Sequence, residues 1–137
     1  MQARKWKLDT DYKYLVEWWK QYDFGIVPKE CLPPDGIIVS LDKPICAAGL
    51  HIDKGSKLGF MYGIFSNPDI NKIKLFKAMK LCVNEIYKLA KKCNLDLVYT
   101  MTGEKALHKL YENHLKMKLC EKNLKSYVIN LKEKKYT

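Results

Sequence analysis

Residues 36–65 read GIIVSLDKPICAAGLHIDKGSKLGFMYGIF, and this stretch decides the fold. Three β-rich runs, residues 36–41, 45–52 and 58–65, are separated by the turn sequences DKP and DKGS. The short DKP turn predicts that the first two runs form an antiparallel hairpin. The third run is aromatic and almost uncharged, which is typical of a central strand covered on both faces.

A long helix and one further strand are predicted after this stretch. Asn67 and Pro68 form a helix start signal, because Asn is a strong N-cap and proline is favoured at the first helical position. Through Lys92 the apolar residues form one stripe and lysines occupy the other face. Residues 95–101, LDLVYTM, then predict a buried strand, and a strand–helix–strand unit implies parallel pairing.

The remaining segments give a helix and a strand at each end of the chain. On the N-terminal side we predict an edge strand over residues 5–10, a helix over 11–22 capped by Asp9 or Thr10, and a proline-containing loop over 24–35. The helical spacing assigns Trp18 and Trp19 to the core, with a substrate groove as the alternative. On the C-terminal side we predict a helix over 104–115, strand character over 118–131 that is firmest at 125–131, and a basic tail over 132–137.

The composition indicates an ordinary globular domain. With 137 residues the chain has the length of one domain. The five cysteines include no C-x-x-C pair, which argues against a zinc site, and their apolar surroundings predict buried, reduced thiols. Neither a signal peptide nor a run of about 20 apolar residues is present, so we expect a cytoplasmic protein.

The charge is unevenly distributed along the sequence. The net charge is +10, of which residues 1–68 contribute +1 (9 basic, 8 acidic) and residues 69–137 contribute +9 (16 basic, 7 acidic). A phosphate-rich partner, either nucleic acid or a phosphorylated cofactor, would explain this asymmetry. A solvated lysine surface is the alternative, since Arg4 is the only arginine and base-reading proteins prefer arginine.

In its order of elements the chain resembles the GNAT superfamily of acyl-coenzyme A transferases, and most closely small GNAT-like proteins of bacteriophages. Three phrases carry the resemblance: KPICAAGLHI (43–52), the run from FSNPDINKIK to LDLVYTMT (65–102), and ALHKLYENHLKMKL (106–119). The resemblance implies a single α/β (α+β) domain over residues 1–137, with a mixed, mostly antiparallel sheet flanked by helices.

The resemblance also implies an acetyl-CoA site. In the family the pantetheine arm lies along the strand before the long helix, and the pyrophosphate lies at the helix start, where N–H groups are unsatisfied. The implied contacts here are Tyr62, Gly63, Ile64, Phe65, Asn71, Lys72, Ile73 and Lys74. The family's glycine-rich loop is replaced by NPDINKIK, so lysine side chains or a left-handed Asn71 must compensate.

Two side chains are candidates for the chemistry. Tyr111 stands where the family often has the acid that protonates the departing thiolate, and a core tyrosine is the alternative. Residues 58–65 contain no carboxylate to serve as a base, which leaves His51, directly or through water, or a structural role for that histidine. His108 and His114 lie six residues apart, so a helical metal pair is not expected.

Two functions from different classes follow. The first is an N-acyltransferase that moves an acetyl group from acetyl-CoA to a primary amine. The second is a catalytically silent GNAT-like domain that binds a protein or a nucleic acid, as a phage accessory factor in the host cytoplasm would. Loss of the loop glycines favours the second, whereas retention of Tyr111 favours the first.

Overall fold

The computed structural model describes residues 1–132. The elements in chain order are β1 (Gln2–Lys5), α1 (Leu8–Gln21), a short 3-10 helix (Lys29–Cys31), β2 (Gly36–Ser40), β3 (Pro44–Ile52), β4 (Leu58–Ser66), α2 (Lys72–Lys92), β5 (Leu97–Tyr99), α3 (Lys105–Lys109) and a π-helical turn (Leu110–His114). The strands form one sheet in the order β1-β2-β3-β4-β5. All neighbours pair antiparallel except β4 and β5, which are parallel. The expected mixed, mostly antiparallel sheet with flanking helices is confirmed.

Each face of the sheet is covered by a different helix. The apolar stripe of α2 packs with alternate residues of β2, β3 and β4, including Val39, Leu50 and Met61. On the other face, α1 buries Leu15, Trp18 and Trp19 against Ile38, Ala47 and the indole of Trp6. Trp18 and Trp19 are therefore core residues. The third β-run was expected to be covered on both faces. On the face that packs against α1, however, part of β4 is half-exposed.

A β-bulge in β4 changes which residues face α1. Ala47 pairs with Phe65 and Gly49 pairs with Tyr62, so Ala48 alone opposes Gly63 and Ile64. Gly63 has a φ of +60°, a backbone conformation that glycine adopts readily and most other residue types do not. Because the extra residue reverses the alternation, Phe65 lies on the same face as Tyr62, and Ile64 packs toward α2.

Three predicted boundaries in the N-terminal and central parts are wrong. The first strand is Gln2–Lys5 and not residues 5–10, because its register with β2 ends at Lys5. Helix α1 begins earlier than predicted, at Leu8, with Lys7 at the N-cap. Helix α2 begins at Lys72 and not at Asn67, because the Asn67 side chain accepts a hydrogen bond from the Asp69 N–H (2.9 Å) within a turn.

Two predicted strands on the C-terminal side and the predicted burial of the cysteines are also wrong. Strand β5 spans three residues of the predicted 95–101 and is largely exposed, because no strand among residues 1–132 pairs with its outer edge. The predicted strand over 125–131 does not form, and its apolar side chains are exposed. Cys31, Cys93 and Cys120 are exposed, and only Cys46 and Cys82 are buried. The predicted basic tail lies, from residue 133 on, outside the described residues.

Candidate functional site

Strands β4 and β5 separate halfway along β4. Their pairing joins Leu58 to Leu97 and ends where Phe60 meets Tyr99. One further contact follows, in which the Thr100 hydroxyl donates to the Met61 carbonyl oxygen (3.0 Å). Strand β4 continues to Ser66, and no described strand pairs with the β5-facing edge of residues 62–65. The two strands therefore enclose a wedge whose backbone edge is open to an extended ligand.

The helix start beside this wedge is already capped. Asn71 has φ −52° and ψ 136°, and its Oδ1 accepts hydrogen bonds from the N–H groups of Ile73 (2.8 Å) and Lys74 (3.3 Å). Asn71 therefore does not adopt the left-handed conformation that was one alternative for compensating the missing glycines. Lys72 and Lys74 are exposed, and the first turn of α2 holds no acidic residue. Two positive charges near the positive end of the helix dipole are unfavourable, and a bound anion would offset this unfavourable interaction.

The residues present fit the two parts of a CoA molecule unequally. The open edge of β4 and the glycine bulge suit a peptide-like arm that pairs as an extra strand. At the helix start, by contrast, the Asn71 side chain occupies the N–H groups that a pyrophosphate would use. Pyrophosphate binding there requires that side chain to move away, with Lys72 and Lys74 supplying charge.

Tyr111 is buried on the α2 side of the sheet. Its side chain is 6% exposed, and its hydroxyl is the one buried side-chain polar atom among the described residues that has no hydrogen-bond partner. Burial raises the pKa of Tyr111 to about 12, although the neighbouring Thr100 side chain partly opposes this. The hydroxyl thus lies beside Thr100, near the point where β4 and β5 separate, and it is protonated at neutral pH.

An aromatic row runs across the other face of the sheet. It consists of His51, Phe60, Tyr62, Phe65 and Tyr99, whose successive ring centroids lie 5.7–6.5 Å apart. The row continues through Trp19, 5.1 Å from Phe65, into the core under α1. Its other end is open, since α1 stops short of His51, Phe60 and Tyr99.

His51 belongs to this row and lies on the opposite face of the sheet from Tyr111. It pairs across the strands with Phe60 and contacts Tyr62 edge-on at 5.8 Å. Partial burial lowers the pKa of His51, so the imidazole is neutral at pH 7 and able to accept a proton. Tyr111 and His51, the two residues singled out for chemistry, therefore lie on opposite faces of the sheet. They could act on one substrate only if it is bound in the wedge between β4 and β5.

Sequence reasoning missed several residues of this region. Thr100, Phe60 and Tyr99 were not singled out, although alternation along the strands already placed Phe60 and Tyr62 on one face. One cavity, of about 480 Å³, lies elsewhere, between the 53–57 turn and the C-terminal end of α2. Within residues 1–132, no three metal-binding side chains come together, and no helix has the length and apolarity needed to cross a bilayer.

Comparison with known proteins identifies the fold. Neither a protein-family model nor a curated protein matches the sequence. Among solved structures, an acetyltransferase from Trypanosoma brucei superimposes with a TM-score of 0.66 at 10% identity, covering 93% of this chain and 99% of that one. An aminoglycoside N-acetyltransferase in complex with CoA gives 0.64 at 14% identity, covering 94% and 98%.

A third structure, from Mycobacterium tuberculosis and also in complex with CoA, gives a TM-score of 0.64 at 14% identity. It covers 82% of this chain and 70% of that one. Identities this low establish a shared architecture and nothing finer. The order of strands, the parallel β4–β5 pair and these superpositions agree, and the chain therefore has the fold of the GNAT acetyltransferases.

Proposed function

We propose that the protein is an N-acetyltransferase that moves the acetyl group of acetyl-CoA to a primary amine. The observation that carries the proposal is the wedge between β4 and β5, at whose apex a buried tyrosine hydroxyl has no partner. Buried polar groups in native proteins are nearly always hydrogen-bonded, and the exceptions call for an explanation such as a catalytic role. A departing thiolate in the wedge would use this donor.

The proposed binding mode follows from the free groups. The amide arm of CoA pairs with the open edge of residues 62–65, with which no described strand pairs on the β5 side. The pyrophosphate lies at the start of α2, near Lys72 and Lys74, after displacing the Asn71 side chain. The thioester then lies near Thr100 and Tyr111.

The proposed reaction is a direct transfer. The neutral amine nitrogen attacks the thioester carbonyl carbon from the His51 face, a C–N bond forms, and the C–S bond breaks. His51, directly or through water, takes the proton that the amine loses, and Tyr111 donates its proton to the sulfur. The separation of β4 from β5 gives both faces of the sheet access to one carbonyl, so the acid and the base act from opposite sides.

A second candidate function is favoured by one specific observation. Asn71 satisfies two of the N–H groups that would hold pyrophosphate, and the half of the chain that includes α2 carries the excess positive charge. The first feature argues against binding of CoA, and the second suits a GNAT-fold protein that binds an anionic partner without catalysis. The affinity for acetyl-CoA distinguishes the two functions.

Thermal unfolding with and without acetyl-CoA tests the proposal. A ligand present at one hundred times its dissociation constant stabilises the folded state by about 2.7 kcal/mol. We therefore expect the midpoint of unfolding to rise with acetyl-CoA concentration, and an amine panel to show release of the CoA thiol. No shift in the midpoint at millimolar acetyl-CoA would contradict the proposed function.

A further inference from the structure

We infer that the aromatic row is the binding site of an amine carried on an aromatic or similarly flat apolar group, with at most one positive charge. The inference deepens the proposed function, on which the role of this amine as the acetyl acceptor rests. It commits the site to a substrate class unlike the aminoglycosides named for one of the structural neighbours.

The first argument is the exposed apolar area of the row. Tyr99 is 36% exposed and Leu97, beside it on β5, is 67% exposed. Leu58 pairs with Leu97 and Phe60 with Tyr99, so the four side chains form one patch continuous with Tyr62. A contiguous apolar patch of this kind on the face of a sheet marks an interaction site and not ordinary surface.

The second argument is the geometry of the rings. Phe60 and Tyr99 are tilted by 30° at 6.0 Å, whereas Tyr62 stands at 73° to Phe60 and at 81° to His51. These angles present both ring faces and ring edges to a ligand. Aromatic ligands pair with such rings in stacked or edge-on arrangements, and a single ammonium group is attracted to the ring faces.

The third argument is that the strand residues on this face include no acidic side chain. The residues of β3, β4 and β5 that lie on it are Ala47, Gly49, His51, Leu58, Phe60, Tyr62, Phe65, Leu97 and Tyr99. The next acidic residue along β3, Asp53, accepts the Gly55 N–H (2.9 Å) within its own turn. Polycationic ligands need carboxylate partners, and a protein of net charge +10 repels them.

The position of the row connects it to the proposed chemistry. The row crosses from β3 to β5 over the last paired residues before the wedge, with Phe60 and Tyr99 forming the final pair. An aromatic group lying on Phe60 and Tyr99 places its amine over the open part of the wedge, on the face of the sheet that carries His51. A flat ligand therefore occupies the row while its nitrogen reaches the thioester.

Binding of a small amine panel to the protein saturated with CoA tests the inference. The panel contains 2-phenylethylamine and tryptamine as aromatic monoamines, and spermidine and kanamycin as polycations. We expect calorimetry to show at least tenfold tighter binding of the aromatic monoamines. Equal or tighter binding of spermidine or kanamycin would overturn the inference. Thiol release with the same amines reports the proposed function separately.

Two variants locate the bound amine. Phe60→Leu and Tyr99→Leu remove a ring but keep apolar volume, so the fold is retained. Each should weaken tryptamine binding about tenfold. Tyr127→Leu removes a ring that is 88% exposed and is not part of the aromatic row, and should leave binding unchanged. Equal tryptamine affinity in all three variants would place the amine elsewhere and overturn the inference, whether or not acetyl transfer is observed.

Discussion

At the scale of single residues, the ion pair between Arg4 and Asp11 joins β1 to α1. The guanidinium donates to both carboxylate oxygens, each at 2.8 Å, and the Lys7 N–H donates a third hydrogen bond at 2.7 Å. Asp11 is only 2% exposed, whereas Arg4 remains half-exposed. The hydrogen bond from Arg4 is the main cause that lowers the pKa of Asp11, against the opposing effect of burial.

Replacement of Asp11 by Asn should destabilise the protein by about 2 kcal/mol at pH 7, since charged hydrogen bonds are lost while Arg4 keeps partial hydration. The pKa of Asp11 is lower in the folded state than in the unfolded chain, where it is about 4. The stabilisation by ionised Asp11 is therefore fully present above pH 4, and it is lost as the pH falls through the folded-state pKa. Urea unfolding of the wild type and the variant at pH 7 and pH 3 measures the destabilisation and its dependence on pH. If the difference in the free energy of unfolding between wild type and variant is as large at pH 3 as at pH 7, ionised Asp11 does not have the proposed stabilising role.

Tyr111→Phe tests the proposed acid. Turnover should fall by about two orders of magnitude, the scale of a lost general acid, while acetyl-CoA binding stays unchanged. The variant should also be more stable by about 1 kcal/mol, because it removes a buried hydroxyl without a partner. Unchanged turnover with lower stability would make Tyr111 a core residue only.

The raised pKa of Tyr111 gives this variant a second signature. The folded state holds the phenolic proton to a pKa of about 12, whereas the unfolded chain releases it near 10. The corresponding stability is present below pH 10 and is lost as the pH rises toward 12. The stability advantage of the Phe variant should therefore grow over this range, as measured by urea unfolding at pH 9 and pH 11.

At the scale of elements, the beginning of α2 decides how an anion can bind. Asn71→Gly removes the side chain that caps Ile73 and Lys74, at a cost of only a few tenths of a kcal/mol in stability. With these N–H groups free, we expect acetyl-CoA to bind about fivefold more tightly, which corresponds to about 1 kcal/mol. Titration calorimetry measures the change.

Asn67→Gly is the matched control for Asn71→Gly. The Asn67 oxygen accepts from the Asp69 N–H within the preceding turn and not from the helix. This variant should therefore leave acetyl-CoA affinity unchanged. Weaker binding to Asn71→Gly than to wild type would show that the Asn71 side chain takes part in the site.

The bulge in β4 acts at the same scale. By placing two residues opposite Ala48, it turns Phe65 toward Trp19 and completes the aromatic row, while Ile64 joins the core under α2. Strand alternation without a bulge would have placed Ile64, and not Phe65, on the face of Tyr62. One glycine with a positive φ thus sets the lining of the candidate site.

At the scale of the whole molecule, the excess positive charge lies in the second half of the chain. Under the proposed function most of these lysines form a solvated surface, as the exposed ion pair between Lys88 and Glu85 (2.8 Å) illustrates. We expect no measurable affinity for a random DNA duplex at 50 mM salt in a fluorescence anisotropy titration. Binding whose log-log salt slope reaches about −0.9 per phosphate contacted would favour the second candidate function.

Reversal of Lys88, Lys91 and Lys92 to Glu separates the two uses of the charge. These residues lie in the last two turns of α2, about 24 to 30 Å from Lys72 at about 1.5 Å per residue. Acetyl-CoA affinity should therefore be unchanged in the triple variant. If duplex binding exists and its salt slope falls in this variant, the lysines contact phosphates.

The sequence by itself determined the order of the elements from β2 to β5. The β-rich runs and turn sequences of residues 36–65 and the apolar stripe of α2 are local patterns, so they predict β2, β3, β4 and α2 without knowledge of the partners. The parallel pairing of β4 with the strand after α2 followed from the crossover between them. The location of the candidate site beside residues 62–65 came from the resemblance.

Only the tertiary structure decided which groups meet and which stay unpaired. Asn67 and Asn71 are the same residue type four positions apart, and packing determined which one caps α2. The residues over 125–131 have strand propensity, yet a strand needs a hydrogen-bonding partner, and they have none among the described residues. The orphan hydroxyl of Tyr111 and the buried charge of Asp11 likewise depend on neighbours distant in sequence, which no local pattern specifies.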